Sequence, residues 1–301
     1  MIQLSICGDE TMAPLYILIF EFANQGEVML VRRYGKKYGA GGFLFNGIIC
    51  LFAMIFFLVT DKGGLYFAPG LWKYGAANAV LYGSGFYFAY LAYRVGPYLL
   101  THTITGLNFI FPIFYGLFFL NESANYMTYL ALACTFISFF LMVYGKPKKQ
   151  EQKKGFSFLW LIATIITLLS NGFISILNKT QQAAFNNQYT NEYMVITLSG
   201  ATFFLLLLGF ITERKNLKTL LKGGAYGMGA GLLNGAKNFA NLAAMMIVPL
   251  TILTPVKMAI AKPLNFCVSF FIYKERYTIL QYLSIGFGIL SVVLMQVAKY
   301  V

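Results

Sequence analysis

Apolar residues dominate ten successive stretches of the chain, and short polar segments separate them. Each stretch is at least 18 residues long, which is enough for an α-helix to cross the hydrocarbon core of a bilayer. The segments between them contain glycine, proline and charge, as in GKKYGAGG and KPKKQEQKKG. The pattern predicts an all-α membrane protein whose ten transmembrane helices cover residues 12–31, 43–60, 72–94, 97–120, 126–144, 156–178, 192–211, 223–245, 248–272 and 278–298.

The composition supports lipid as the solvent of this chain. Hydrophobic residues make up 58% of the sequence and charged residues 11%, whereas a soluble domain carries about 25% charged residues. The net charge of +13 could suggest nucleic-acid binding. Because the basic residues lie in the short segments between apolar stretches, membrane topology explains the charge better, and no nucleic-acid partner is predicted.

The distribution of Lys and Arg predicts the orientation of the helices. The segments that follow stretches 1, 3, 5, 7 and 9 carry 16 of the 23 basic residues, and the opposite side carries 4. The positive-inside rule therefore places the 16 in the cytoplasm and both termini outside, in a multi-pass protein of the plasma membrane. A cleaved signal peptide is not expected, because the N-terminus lacks a basic region and the first apolar stretch contains Glu21.

A faint internal repeat divides the sequence into halves 1–150 and 151–301. Residues 116–145 align with 269–298 at an offset of 153, with 7 identities in 30 pairs that include Glu122/Glu275, Tyr129/Tyr282 and Ser138/Ser291. At an offset of 152, Gly83 meets Gly235 and Pro97 meets Pro249. An odd number of spans in each half makes the second half enter the membrane from the opposite face, which is the inverted repeat of many secondary transporters.

Both halves end in the same order of features: a proline-bearing helix, aromatic residues, a glutamate and a final helix. The residues are Pro112, Phe118, Phe119 and Glu122 in the first half, and Pro263, Phe271, Tyr273 and Glu275 in the second. With its ten helices, the chain resembles the EamA-type members of the drug/metabolite transporter superfamily. The resemblance implies a central cavity formed chiefly by helices 1, 3, 4, 6, 8 and 9. It also implies substrates that range from amino acids to sugar phosphates and nucleotide sugars. Members of that family usually have cytoplasmic termini, in contrast to the orientation predicted above.

Polar residues inside the apolar stretches are the candidates for solute binding. An ionisable group costs roughly 2.5–3.5 kcal/mol to insert at the centre of a helix, so such residues tend to be functional. The predicted substrate-binding set is Glu21, Asn24 and Gln25 in helix 1, Asn78 and Tyr82 in helix 3, His102 and Asn108 in helix 4, Asn234, Lys237, Asn238 and Asn241 in helix 8, and Lys257 and Lys262 in helix 9. Glu27 lies nearer the cytoplasmic end of helix 1 and is left out of the set.

Charge indicates the kind of solute. The lysines outnumber Glu21 and Glu27, so an anionic or zwitterionic solute is favoured, and Lys262 beside the helix-breaking Pro263 is the best candidate for selectivity. Three alternatives stay open. Glu21 could pair with a lysine and only hold helices together, the lysines could reach the membrane interface, and Glu21 or His102 could carry a coupling proton.

Two further features predict architecture rather than chemistry. Glu122 and Glu275 directly follow a helix, and we expect them to cap the next helix or to bind loop amides. Glycines 83, 85, 227, 229 and 231 predict close helix packing.

The sequence therefore predicts a secondary transporter that works by alternating access, with a small solute, the lipid bilayer and a possible coupling proton as partners. No ATP-binding motif, metal site, cofactor site or catalytic set is predicted. A membrane enzyme acting on lipid is the first alternative; it would need clustered Asp and His, whereas the chain has one histidine. A passive channel or sensor is the second.

Overall fold

The computed structural model describes residues 12–38, 42–61, 63–96, 101, 104–122, 124–145, 157–268, 271 and 278–298. These residues form ten α-helices and no strand, which confirms the predicted all-α class. The helices are α1 (Ala13–Tyr38), α2 (Phe43–Thr60), α3 (Leu71–Val95), α4 (Ile110–Phe119), α5 (Tyr126–Tyr144), α6 (Phe158–Ala184), α7 (Thr190–Thr212), α8 (Leu217–Ile247), α9 (Leu250–Cys267) and α10 (Ile279–Val297).

Helix ends follow capping residues more closely than they follow the apolar stretches. The predicted bounds of α2 and α5 are confirmed to the residue. The side chain of Asn125 accepts the Thr128 amide at 3.0 Å, and that of Ser157 accepts the Trp160 amide at 3.1 Å, so each caps the helix that follows. In contrast, α1 and α6 continue to Tyr38 and Ala184, beyond their predicted ends at residues 31 and 178. Polar residues form helical hydrogen bonds as well as apolar ones do, so hydropathy underestimates these lengths.

Four helices, α2, α5, α6 and α7, are long and apolar enough to cross a membrane. The apolar segments Ile104–Phe119 and Ile279–Met295 are shorter. The candidate polar residues are concentrated on α1, α3, α8 and α9, and their side chains lower the hydropathy of those helices. Among the described residues, four helices are therefore long and apolar enough to span a membrane. The full number of ten transmembrane helices stays a prediction.

The chain forms two compact units, each with helices from both halves of the sequence. The first unit contains residues 1–96 and 156–247. In it, α1 packs on α8, α2 on both α7 and α8, and α3 on both α6 and α7. A Cβ atom on Gly83 would lie 2.6 Å from the Phe204 ring, and one on Gly231 would lie 2.5 Å from Phe52, so these glycines do pack closely.

Aromatic packing and a carboxylate cap hold the start of α2 in the first unit. Tyr34 stacks on Phe45 with 3.9 Å between ring centroids. Glu213 accepts the amides of Phe43 and Leu44 at 3.0 and 3.2 Å, and thereby caps the N-terminus of α2. These contacts fix the start of α2 against α1 and against the end of α7.

The second unit contains residues 97–155 and 248–301. Here α5 packs along α10, and α9 packs on α4, α5 and α10. Glu122 accepts the amides of Leu250 and Thr251, both at 2.9 Å. It therefore caps α9, the helix 128 residues further on, and not the next helix along the chain. Glu275 lies outside the described residues.

Serine side chains join α5 to α10. Ser138 donates to the carbonyl oxygen of Ser284, and the Ser284 hydroxyl donates back to the Ser138 carbonyl. Further along, Ser291 donates to the Ala131 carbonyl at 2.8 Å. The two helices are thus joined by polar contacts in a seam of otherwise apolar side chains.

Candidate functional site

An ion pair lies inside the first unit, between α1 and α8. Lys237 Nζ lies 2.6 Å from Glu27 Oε2, and Asn234 Nδ2 donates to Glu27 Oε1 at 2.9 Å. Both carboxylate oxygens of Glu27 therefore have partners. Sequence reasoning omitted Glu27 because it lies near the predicted end of helix 1, but α1 continues for two more turns beyond that end.

A chain of hydrogen bonds extends this pair to α3. Tyr82 donates its hydroxyl proton to Asn238 Oδ1 at 3.2 Å, and Asn238 Nδ2 donates to Asn234 Oδ1 at 2.8 Å. The donors run in one direction, from Tyr82 through two amides to the Glu27 carboxylate. Hydrogen bonds aligned in this way polarise one another, so the negative charge of Glu27 orders the whole chain.

Helical spacing explains why α8 presents three asparagines on one face. Asn234, Asn238 and Asn241 are four and three residues apart, so they lie on one face of the helix. All three are buried. On α1, the predicted pair Glu21 and Gln25 is also buried, with 2% and 7% exposure, and Asn24 is half-buried.

A second polar cluster of the first unit surrounds Asn178 on α6. Asn178 Oδ1 accepts from Asn78 Nδ2 at 3.2 Å and from the Tyr193 hydroxyl at 2.8 Å. Asn78 also contacts the Thr197 hydroxyl at 3.4 Å. Of these four residues, the sequence predicted Asn78 alone. The apolar stretch ends at Asn178, but α6 continues for six further residues, which places Asn178 inside the packed region.

Other side chains of α6 bind the end of α8. Gln182 Nε2 donates to the Leu242 carbonyl at 2.8 Å, and Lys179 Nζ donates to the Met245 carbonyl. Met245 lies in the last turn of α8, where carbonyl groups lack helical partners and carry partial negative charge, so the ammonium group of Lys179 stabilises that end. These contacts explain polar residues of α6 without a solute.

Lys262 lies in the second unit. It is 7% exposed, and its Nζ donates to Ser138 Oγ on α5. Lys257 is half-buried, and a spacing of five residues places it about 140° around α9 from Lys262. Asn108 is half-buried in the 3₁₀ turn Leu107–Phe109. His102 lies outside the described residues, and a single cavity shared by Glu21, Lys237 and the two α9 lysines stays a prediction.

Comparison with known proteins shows a likeness in fold alone. No protein-family profile and no curated protein sequence matches this chain. A crystal structure of a protein with 10% sequence identity matches with a TM-score of 0.77, over 96% of this chain and 98% of its own. Because the identity is so low, the likeness shows a shared arrangement of helices along nearly the whole chain and carries no activity with it.

Proposed function

We propose that the protein is a secondary transporter that moves a small anionic or zwitterionic metabolite across the plasma membrane by alternating access. The observation that carries the proposal is the Glu27–Lys237 ion pair, which ends a directed chain of amides inside a unit whose exposed side chains are largely apolar. Ionisable groups inside transmembrane helices are costly and mark solute or ion pathways in membrane proteins.

The distribution of polarity supports a membrane environment. Large apolar side chains are exposed on the helices of the first unit, with Phe203 at 72% and Phe158 at 78%. Amides such as Asn178 and Gln182 are nearly inaccessible, at 3% and 0%. Soluble proteins place few amides inside and few large apolar groups outside. Lipid around the helices and polar groups within them account for both observations.

The packing supports an inverted repeat. If each helix is exchanged with the one five places along the chain, the pair α1–α8 becomes α3–α6, and α2–α8 becomes α3–α7; all four pairs pack. Likewise, an offset of 153 relates Ser138 and Ser284 to Ser291 and Ala131, and a serine-to-carbonyl bond joins each pair. A two-fold relation of this kind is typical of secondary transporters and supports the resemblance to the EamA-type family.

The chemistry of the polar chain suits a solute with separated charges. Lys237 can offer an ammonium group to a carboxylate or phosphate, and Glu27 can accept an ammonium group of the solute. The two side chains are 18% and 14% exposed, so they are accessible enough for their mutual bond to be exchanged for bonds to a solute. Asn234, Asn238 and Tyr82 would bind its remaining polar groups. When the solute leaves, the ion pair re-forms and satisfies both charges.

Uptake by the purified protein in proteoliposomes tests the proposal. The probes are ¹⁴C-labelled neutral amino acids and sugar phosphates, each measured with and without a pH gradient and against protein-free liposomes. We expect saturable uptake of at least one probe and its exchange for the same unlabelled solute. Ion conductance without solute exchange would instead indicate a channel, and turnover of the liposome lipids without uptake would indicate an enzyme.

A further inference from the structure

Lys262 is a buried basic residue that the polar chain of the first unit does not include. Its side chain lies against α10, where its Cδ would be 3.6 Å from a Cβ atom on Gly288, and its Nζ binds Ser138 on α5. Phe266, one turn further along α9, packs on Tyr282 of α10 with 5.5 Å between ring centroids. This face of α9 is therefore turned towards the seam between α5 and α10.

The described residues provide no counter-ion for Lys262. The described parts of α4, α5 and α10 contain no Asp, Glu, His, Lys or Arg. Their titratable groups are Cys134, one turn from Ser138, and tyrosines, of which Tyr282 packs on Phe266. Glu122 caps the start of α9, twelve residues before Lys262 and about 18 Å along the helix axis. An ammonium ion bonded to a neutral hydroxyl in such a place is costly.

The fold does not require a lysine at this position. Offsets of 152 and 153 relate the two halves, and they match Lys262 with Ile110 or Phe109. Phe109 is buried and packs on Phe136 and Phe139, at 5.2 and 5.5 Å between centroids. The first half thus fills the position with an apolar side chain, whereas the second half keeps an ionisable one at a cost in stability.

The contact with Ser138 suits both protonation states of Lys262. Ser138 gives its own proton to the Ser284 carbonyl, so its oxygen accepts from Lys262. An ammonium group and a neutral amine can both donate that bond. A proton needs almost no volume, so it can bind to and leave Lys262 without parting the helices, which a metabolite could not do.

We propose that Lys262 is the residue that binds and releases the coupling proton of the transport cycle, a role that rests on the transport function proposed above. Protonation converts the Lys262 amine to an ammonium group with a proton taken from water on one side of the membrane. Deprotonation returns that proton to water on the other side. The charge of the second unit then changes by one in each cycle, while solute binding remains with the ion pair of the first unit.

The test compares two transport modes in proteoliposomes, with the labelled amino acids and sugar phosphates as probes. One mode is solute exchange at equal pH, which requires no net proton movement. The other is accumulation driven by a pH gradient. Lys262→Met is never charged and Lys262→Arg is always charged. We expect both variants to retain exchange and to lose accumulation above the equilibrium level. Lys222→Met, at an exposed position of α8, should behave as the wild type.

The outcomes separate this proposal from the proposed function. Wild-type exchange without any gradient-driven accumulation, or gradient-driven accumulation by Lys262→Met, would overturn the role of Lys262 and leave the transport function standing. Rescue of accumulation by Lys262→Arg would assign Lys262 a fixed charge and also overturn the proposal. If Lys262→Met and Lys262→Gln both fail to fold, as judged by size-exclusion chromatography, the lysine is structural and the proposal is wrong. Absence of any wild-type exchange would overturn the transport function, and the coupling role with it.

Discussion

Lys237 on α8 and Glu27 on α1 form an ion pair with 2.6 Å between Nζ and Oε2, and the side chains are 18% and 14% exposed. A pair on a protein surface contributes little to stability, and a sealed pair is hard to open. This pair lies between the two extremes. The pair satisfies both charges, and its partial exposure is what the proposed binding of a charged solute requires.

Neutralising one member of this pair should impair both stability and transport. In Glu27→Gln, Lys237 loses its charged partner, and in Lys237→Met, Glu27 loses a charged donor. We expect each change to destabilise the protein by roughly 1.5–3 kcal/mol, as is usual for a hydrogen bond to a charged group. The measurements are thermal unfolding in detergent and uptake in proteoliposomes.

The double variant Glu27→Gln with Lys237→Met separates a binding role from a structural one. Removal of both charges leaves no charge without a partner, so stability should recover relative to either single variant. Transport should stay absent, because the charged groups offered to the solute are gone. Recovery of transport in the double variant would show that the pair only holds α1 to α8.

Tyr82 should contribute to solute affinity through its hydroxyl group. Tyr82→Phe removes the first donor of the chain, a neutral bond of about 1 kcal/mol, so we expect the apparent affinity for solute to fall by about fivefold. The matched control is Tyr87→Phe on the same helix, where the ring packs on Phe43 at 5.9 Å. Equal effects of the two changes on KM would contradict a specific role for Tyr82.

The sequence predicts the helices well because hydropathy and the turn or capping residues at helix ends are properties of neighbouring residues in the chain. Apolar stretches 43–60 and 126–144 coincide with α2 and α5, since each is bounded by turn or capping residues. The extension of α6 to Ala184 could not be predicted in the same way. Its last turns carry polar residues, and these are buried because Gln182 binds the end of α8, a contact 60 residues distant in sequence.

The candidate site was predictable as a set of residues but not as pairs. Helical spacing places Asn234, Asn238 and Asn241 on one face of α8, and all three are buried. Which carboxylate meets Lys237 depends on how far α1 continues along α8, and hydropathy ended that helix seven residues early, near Glu27. The match of Ser138 with Ser291 in the repeat marks Ser138 in the sequence. A hydroxyl group in an apolar helix does not, however, show that its partner is Lys262.

Asn178 should be a stability determinant of the first unit. Asn178→Leu deprives Asn78 and Tyr193 of the oxygen that accepts their hydrogen bonds, at a cost of about 1–3 kcal/mol for each buried donor left without that partner. We expect a clearly lower unfolding temperature. Asn186→Gly is the control, because Asn186 lies in the exposed turn after α6 with a φ of +49°, which glycine adopts readily. Equal unfolding temperatures for the two variants would contradict this role.

The bias of Lys and Arg predicts that the 146–155 segment faces the cytoplasm and that both termini face outward. That segment lies outside the described residues, so the prediction rests on charge alone. A Lys149→Cys variant in a background without native cysteines should react with a membrane-impermeant maleimide after cell lysis and not in intact cells. Labelling in intact cells would reverse the orientation and agree with the termini usual in the EamA-type family.

Glu122 and Glu213 should stabilise the chain by the same mechanism in separate units. Each carboxylate accepts two adjacent amides at the start of a distant helix: Leu250 and Thr251 of α9 for Glu122, Phe43 and Leu44 of α2 for Glu213. The N-terminus of a helix carries partial positive charge, so a carboxylate is the best acceptor there. In Glu122→Gln the amide nitrogen takes the place of one acceptor oxygen and turns a donor towards the helix N–H groups.

We expect each single glutamine variant to lose about 1–2 kcal/mol of unfolding free energy, as for other helix caps, measured by chemical unfolding in micelles. The sites share no partner, so the double variant should show the sum of the two losses. An unchanged unfolding midpoint for Glu122→Gln would contradict the capping role. A double variant as stable as the less stable of the two single variants would contradict the independence of the two caps.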